Sequence, residues 1–325
     1  MMKKYIILAV SVVCVCSLGV FLLSTSEATL EERKNPKVLA MTTSIEIPEE
    51  VSLAGENLKL DRYDLHERFD REINSFAYLH STTLLLIKRA NRIFPIIDPI
   101  LKANGIPEDF RYLAAIESSL DPRAVSSAKA AGLWQLMPAT ATQFGLEVSG
   151  EVDERYSIEK STQAACKYLN SAYRKYGNWS SVAMSYNAGM GRISGELDKQ
   201  QADDSLDLWL VEETSRYYFR MLALKCIFEN PYKYGYVISA DQLYKPIQFN
   251  PVEVTQSIPD LASFAKDNGV TYAQLKDFNS WLRDRKLTIT PKSQSSYTIL
   301  IPNTESLYYK RGEKIKVYDK RWVTE

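Results

Sequence analysis

The stretch Pro107-Glu108-Asp109-Phe110-Arg111-Tyr112-Leu113-Ala114-Ala115-Ile116-Glu117-Ser118-Ser119-Leu120 decides how the chain is read. Gly105 stops the element before it. Pro107 is tolerated in a helix's first turn, and Glu108 and Asp109 there favour the macrodipole, so a helix is predicted from about Pro107 to Leu120. On that helix Phe110, Leu113, Ala114 and Glu117 share one face at i, i+3, i+4 and i+7 spacing. A carboxylate therefore sits on the apolar stripe. Burial penalises its charged form and raises its pKa, which is the property a general acid needs near neutral pH. The bland alternative is a stripe-edge carboxylate paired with an arginine such as Arg111 or Arg123.

Working outward, helical periodicity dominates residues 61–230. Leu65, Phe69, Ile73, Phe76 and Leu79, then Leu84, Leu85, Ile87 and Ile93, recur at three- and four-residue spacing, and Pro95 and Pro99 are expected to break the pattern. Ile158, Ala165, Cys166, Leu169, Ala172, Tyr173 and Tyr176 predict a helix over 158–176 with Gly177 as its C-terminal stop. Another helix is expected from near Ser180, and a further one from Glu212 to Phe228, halting before Pro231. After Pro251 the texture changes to two short helices, Leu261–Asn268 and Tyr272–Phe278, and an alternating strand, Tyr297–Pro302. The fold class is therefore mainly α, a helical domain over 61–240 followed by a small α+β module over 251–302. Residues 29–60 read as a linker and 303–325 as a modestly basic, solvated tail.

Lys plus Arg and Asp plus Glu both number 40 in the 325 residues, so the chain has no global electrostatic pull toward nucleic acid, and no nucleic-acid partner is expected. His66 and His80 and the four cysteines show no metal-ligand spacing, and no metal or organic cofactor is implied. Cys166 and Cys226 read as separate thiols. Lys3 and Lys4 followed by the apolar run Tyr5–Ser24 and the small-x-small Ser26-Glu27-Ala28 predict a cleaved export signal over residues 1–28. An uncleaved membrane anchor is the alternative, since about 20 apolar residues also span a bilayer. Either way the chain is expected outside the cytoplasm, in the periplasm or cell envelope.

Ile116-Glu117-Ser118-Ser119, then Gly132-Leu133-Trp134-Gln135-Leu136-Met137-Pro138, then Ser185-Tyr186-Asn187-Ala188-Gly189, then Glu213-Thr214-Ser215-Arg216-Tyr217 resemble, in order and spacing, the motifs of the soluble lytic transglycosylase family. The resemblance covers roughly residues 95–230. Trp134-Gln135 looks most like the membrane-bound murein transglycosylase D branch. It implies a lysozyme-like helical catalytic domain that cleaves the glycan strands of peptidoglycan, the expected partner. Glu117 would be the single catalytic acid and base. Ser118, Gln135, Tyr186, Asn187 and Tyr217 would bind or line the substrate, Tyr217 with its hydroxyl directed at Glu117. The ordinary role of Ser118 would instead be a bond to local backbone, and Trp134 is expected in the core. Lys129 departs from the family, which more often has glycine there.

Residues 251–302 resemble a lysin motif, the βααβ module that binds N-acetylglucosamine polymers, in degenerate form: Ile258-Pro259-Asp260 stands where glycine-aspartate is usual, and the first strand is poorly marked. Sugar binding by this module stays open. Three readings compete for the whole chain: a lytic transglycosylase giving 1,6-anhydro-muramyl ends, a muramidase of the same fold in which water attacks, and a non-catalytic peptidoglycan-binding protein.

Overall fold

The structure, a computed structural model, describes residues 43–291 and 293–324. The signal or anchor expected over 1–28 lies outside them. Within Ile47–Glu325, which forms one compact unit, ten helices and two two-stranded antiparallel sheets are described. The helices are α1 Tyr63–Tyr78, α2 His80–Ala103, α3 Arg111–Ser118, α4 Pro138–Gln143, α5 Ile158–Tyr176, α6 Trp179–Ala188, α7 Met190–Gln200, α8 Glu212–Glu229, α9 Leu261–Asp267 and α10 Tyr272–Phe278. Strand β1 Glu50–Leu53 pairs with β2 Glu56–Lys59, and β3 Phe249–Val254 with β4 Tyr297–Pro302. The mainly α domain and the α+β module are both present. Among the described residues no helix is long and apolar enough to cross a membrane.

Helix α8 is the axis of the larger domain. Its residues Met221, Leu222, Ala223, Leu224, Ile227 and Phe228 are all fully buried, because α1, α3 and α6 pack around it while α2 packs on α5. The apolar stripe of α1 supplies Leu65, Phe69, Ile73 and Phe76 to this core. Helix α5 begins on Ser157, whose hydroxyl accepts from the Lys160 N–H, and ends on left-handed Gly177, as its sequence pattern predicts.

Helix α2 corrects the expectation that Pro95 and Pro99 interrupt it: it runs unbroken for 24 residues. Ala90, Ile93, Phe94, Ile97, Asp98 and Leu101 form a continuous buried face, while Pro95 is half-buried and Pro99 exposed on the other side. Burial of that stripe outweighs the backbone bonds the prolines forgo. The helix predicted from Pro107 to Leu120 is also shorter than expected, a 3-10 turn Glu108–Phe110 leading into α3.

The hairpin β1–β2 lies in what the sequence reading assigns to linker. Ala54 and Gly55 both have positive φ, 57° and 82°, the geometry of a two-residue hairpin turn. Val51 and Leu53 point inward, Ala54 N–H donates to Asp109, and Glu56 accepts from Trp179 N–H at 2.7 Å. The folded domain therefore begins before residue 50.

The tail departs further from its expected solvated state. Trp322 is 1% exposed and packs edge-on against Phe94 and Phe228. Asn91 grips the same segment, donating to Lys316 O and accepting from Tyr318 N–H. Tyr318 donates to Asp98 at 2.7 Å, and Asp98 also pairs with Arg111 at 2.9 Å at the foot of α3. Burial pushes Asp98 up to about 6 despite both partners. The basic side chains of the tail drew the reading outward; its aromatic residues decide its place.

The C-terminal module is the predicted βααβ unit, with the poorly marked first strand identified as β3. Asn279, fully buried, donates to Leu275 O and Leu300 O and accepts from Leu300 N–H, tying α10 to β4. Its core of Leu261, Leu275, Leu282, Leu287 and Ile299 continues into Ala131, Val152 and Tyr156 of the larger domain. Asp153 N–H donates to Trp281 O and Arg283 N–H to Glu151 O, so backbone bonds cross the junction.

Trp322→Ala is expected to cost about 3–5 kcal/mol of unfolding free energy, as for other large-to-small changes in a core. Denaturant titration checks it; a loss under about 1 kcal/mol would mean the tail rests on the domain without supporting it.

Candidate active site

Glu117 is the penultimate residue of α3, and Ser119 and Leu120 end that helix in consecutive left-handed conformations, φ 53° and 56°. Such a pair of non-glycine residues costs energy. It is held by Arg89, whose Nη1 donates to Ser119 O at 2.8 Å. Neither candidate arginine pairs with Glu117: Arg111 is committed to Asp98 and Glu108, and Arg123 to Asp277 and Asp121.

The hydroxyl of Tyr217, from the first half of α8, donates instead to Glu117 Oε1. Burial pushes the Glu117 carboxyl up to about 7; the Tyr217 hydrogen bond and the Arg220 charge pull it down, and Glu213 pushes it up. The side chain keeps a partial opening to solvent while protein packs around it. Tyr186 and Tyr217 are held well above the ordinary tyrosine range by burial first and by the Glu117 charge second. Both remain neutral donors over the physiological range.

Tyr186 donates to Trp134 O at 2.8 Å and stacks edge-on against Tyr168. This bond attaches the Gly132–Pro138 loop to the wall beside Glu117. Trp134 itself is fully buried, its Nε1 donating to Thr162 at 2.8 Å, which is the core role expected of it. Gln135 takes φ 46°, and its amide nitrogen donates to Gly132 O and Ala124 O, so that donor shapes the loop. Asn187 accepts from Thr214 at 2.8 Å and donates to Glu213 at 3.4 Å, bridging the end of α6 to the start of α8.

Glu117, Tyr186 and Tyr217 are thus brought together, with Asn187 and Gln135 one step outward. Ser118 is not: its hydroxyl donates back to Ala114 O at 3.1 Å and is buried. Missed by sequence reasoning were Arg220 and Thr214. Arg220 follows Tyr217 by three residues, one turn along the same helix face, which is the signal that could have found it.

The loop geometry rests on Gly132. With φ 79°, it has no room for a side chain: an added Cβ would lie 1.8 Å from Arg155 O. Arg155 in turn donates to Lys129 O and Leu136 O, while its other nitrogens hold Asp153. Lys129, the departure from the family pattern, adopts φ 66° and is kept there by that bond and by its own N–H to Ser126 O.

A cleft of about 480 Å³ is lined by Glu72, Ser75, Phe76 and Leu79 and by Glu212, Glu213, Arg216 and Arg220; Glu117, Tyr186 and Tyr217 do not line it, but Glu213 and Arg220, whose charges act on Glu117, do. A separate cavity of about 580 Å³ lies between the domain and the module; none of Glu117, Tyr186 or Tyr217 lines it. Among the described residues no cluster of three or more His, Cys, Asp or Glu side chains could hold a metal.

Residues 95–208 match the family model described as Transglycosylase SLT domain, and residues 250–305 that described as Soluble lytic transglycosylase C-terminal LysM-like domain. The two matches follow one another along the chain, the SLT match first and the LysM-like match after it. It is similar to membrane-bound lytic murein transglycosylase D of Escherichia coli strain K12, 29% identical over 242 residues, covering 72% of this chain and 52% of that protein. It is also similar to membrane-bound lytic murein transglycosylase F of Yersinia enterocolitica, 28% identical over 159 residues, 45% of this chain and 31% of that one. The chain spans about half the length of the first of these relatives. Among solved structures it is similar to the 70 kDa soluble lytic transglycosylase of Escherichia coli, at 24% identity, 42% of this chain and 24% of that one, with a TM-score of 0.36.

Two outcomes follow from this geometry. Gly132→Ala should lose at least about 3 kcal/mol of stability or fail to fold, because backbone rather than a flexible side chain opposes the methyl group; a normal thermal midpoint would contradict the close approach. The second concerns pH. Since the Glu117 carboxyl in the fold titrates near 7, above its ordinary 4.5, its contribution to stability is full below pH 4.5 and is lost as pH rises through about 7. Glu117→Gln should therefore be more stable than the parent above pH 7, by on the order of 1–3 kcal/mol of unfolding free energy, with the gap closing toward pH 4. A pH-independent difference would argue against a raised pKa.

Proposed function

We propose that the protein is a peptidoglycan lytic transglycosylase that cleaves the β-1,4 bond between N-acetylmuramic acid and N-acetylglucosamine without water. The observation that carries the reading is one buried carboxyl group, its pKa raised to about 7, held by the hydroxyl of Tyr217 and belonging to the residues that match the SLT model. A glycosidase of the ordinary kind needs two carboxyl groups. Here one serves twice. Protonated Glu117 gives its proton to the glycosidic oxygen as the bond from the muramyl C1 breaks. The resulting carboxylate then takes the proton of the same sugar's C6 hydroxyl as that oxygen bonds to C1. Glu117 ends protonated, ready for another cycle, and the sugar ends as a 1,6-anhydro ring. The nucleophile is already tethered to the electrophile, so the step gains the effective molarity that a diffusing water lacks.

In this reading Tyr217 fixes the carboxyl and stabilises its ionised form, and Tyr186 forms a wall and anchors the Gln135 loop. Asn187 presents an amide at the edge, suited to sugar acetamido and hydroxyl groups. Ser118 acts through the helix end. The family-model bounds stop at residue 208, before Tyr217. The reading of α8 as part of the site is supported by the hydrogen bond between Tyr217 and Glu117. Such an activity belongs outside the cytoplasm, and the basic-then-apolar N-terminal run supports export to the cell envelope, by a cleaved signal or a retained anchor.

Purified protein incubated with isolated peptidoglycan should release anhydro-muramyl products, lighter by one water than reducing-end products, as identified by mass spectrometry. Glu117→Gln should release none. Activity should fall as pH rises through about 7, where the acid form is lost. Reducing ends would instead identify a muramidase, and release unchanged in the variant would remove Glu117 from the chemistry.

A further inference from the structure

Arg220 is a cation beside Glu117 with little to hold. Its one hydrogen bond is long, 3.5 Å from Nη2 to Ile116 O, and its guanidinium lies 5.8 Å from the Phe76 ring centre. Its neighbours are committed: Arg216 grips Glu72 at 2.6 and 3.2 Å, and Arg71 pairs with Glu212. Among the described residues no carboxylate forms an ion pair with Arg220. A guanidinium carries five donors in a flat fork matched to a carboxylate, so most of its capacity is unspent. It opens into the 480 Å³ cleft, facing Phe76 and Leu79, the latter 47% exposed.

We propose that Arg220 is a specificity-determining residue that binds a carboxylate of the peptide stem on the muramyl sugar being cleaved. This rests on the transglycosylase reading. The sugar whose C1 reacts carries its lactyl-linked peptide at C3, two ring carbons away. The stem must therefore leave the site close to Glu117. Arg220, which lines the cleft, reaches back to the carbonyl of Ile116, the residue before Glu117, and the cleft offers what such a stem needs: Phe76 and Leu79 for short alkyl side chains and a guanidinium with donors to spare for a free carboxylate. The acids around it are engaged elsewhere, Glu72 by Arg216, Glu212 by Arg71, and Glu213 by Asn187. A bidentate Arg–carboxylate pair adds geometric selection as well as binding.

The test compares kcat and KM of the full chain, Arg220→Gln and Arg220→Lys on two soluble, uncross-linked substrates, glycan strands bearing stems and the same strands stripped by an amidase, counting anhydro ends. Losing a charge-assisted bond should raise KM on stem-bearing strands about tenfold or more in Arg220→Gln. Because Arg220 also acts on the Glu117 charge, kcat should shift on both substrates, but KM should rise far more on stem-bearing than on stripped strands, and Arg220→Lys should recover part of that KM difference. If Arg220→Gln does not fold, judged by its thermal midpoint, the KM split of Arg220→Lys between the two substrates carries the same decision. An equal rise in KM on both substrates, or no rise on stem-bearing strands, would overturn the assignment. Absence of anhydro ends from the unaltered protein on either substrate would overturn the transglycosylase reading, and this inference with it.

Discussion

The buried guanidinium of Arg155 holds together more of this structure than any residue of the site itself. It donates to Lys129 O and Leu136 O at the two sides of the loop, and grips Asp153 through its remaining nitrogens. Its own carbonyl occupies the space that a side chain at residue 132 would need. One residue on, Tyr156 enters the core shared with the C-terminal module. The pair with Asp153 is itself buried, so each charge depends on the other: removing one partner of such a pair typically costs about 3–5 kcal/mol. The loop, its glycine and the module junction are therefore a single constraint seen from three sides.

Against that rigid loop the Glu117 carboxyl is held by compromise. Burial alone would leave Glu117 a weak acid that seldom ionises; a hydroxyl donor and a guanidinium nearby offset part of that penalty. In the proposed reaction this group gives and then takes a proton in one cycle, and it would benefit from a pKa near the working pH, where neither form is costly. Tyr217 and Arg220 come from one turn of α8, and Glu117 from the end of α3, so the balance depends on how those two helices meet. The buried Asp98–Arg111 pair and the tail residue Tyr318 fix the other end of α3. A segment more than two hundred residues from α3 thus helps to aim it.

Much of this was legible in the sequence. The periodicity of 158–176 and the stop at Gly177 reproduce α5, and Tyr272–Phe278 and Tyr297–Pro302 coincide with α10 and β4. What was not legible was decided by tertiary packing. Pro95 and Pro99 read locally as breakers, yet they stand on the outer side of a helix whose opposite face is continuously buried. The Ala54-Gly55 turn and the alternating Val51 and Leu53 were hidden by surrounding polar residues that read as linker. Trp322 and Tyr318 were outweighed by the lysines and arginines near them. Within the site, the displaced position of Glu117 followed from its own helix, but its hydrogen-bond partner lies 100 residues away. No periodicity reports such a pairing; only the family resemblance named Tyr217. Ser118 shows the converse, since adjacency in sequence to Glu117 put its hydroxyl on the helix backbone instead.

The shared core between the two parts of the chain also has a mechanical meaning. A binding module on a flexible tether samples many distances from its catalytic partner, and its benefit is an elevated local concentration. Here Ala131, Val152 and Tyr156 are packed under the module and backbone bonds cross the seam, so the separation between the module's outer face and Glu117 is a fixed length. Any polymer touching both would be measured against that length, like cloth against a rule. Cutting the chain between the two parts would also strip apolar surface from the very loop that carries Gly132 and Gln135. The module is in this sense part of the helical domain's own foundation.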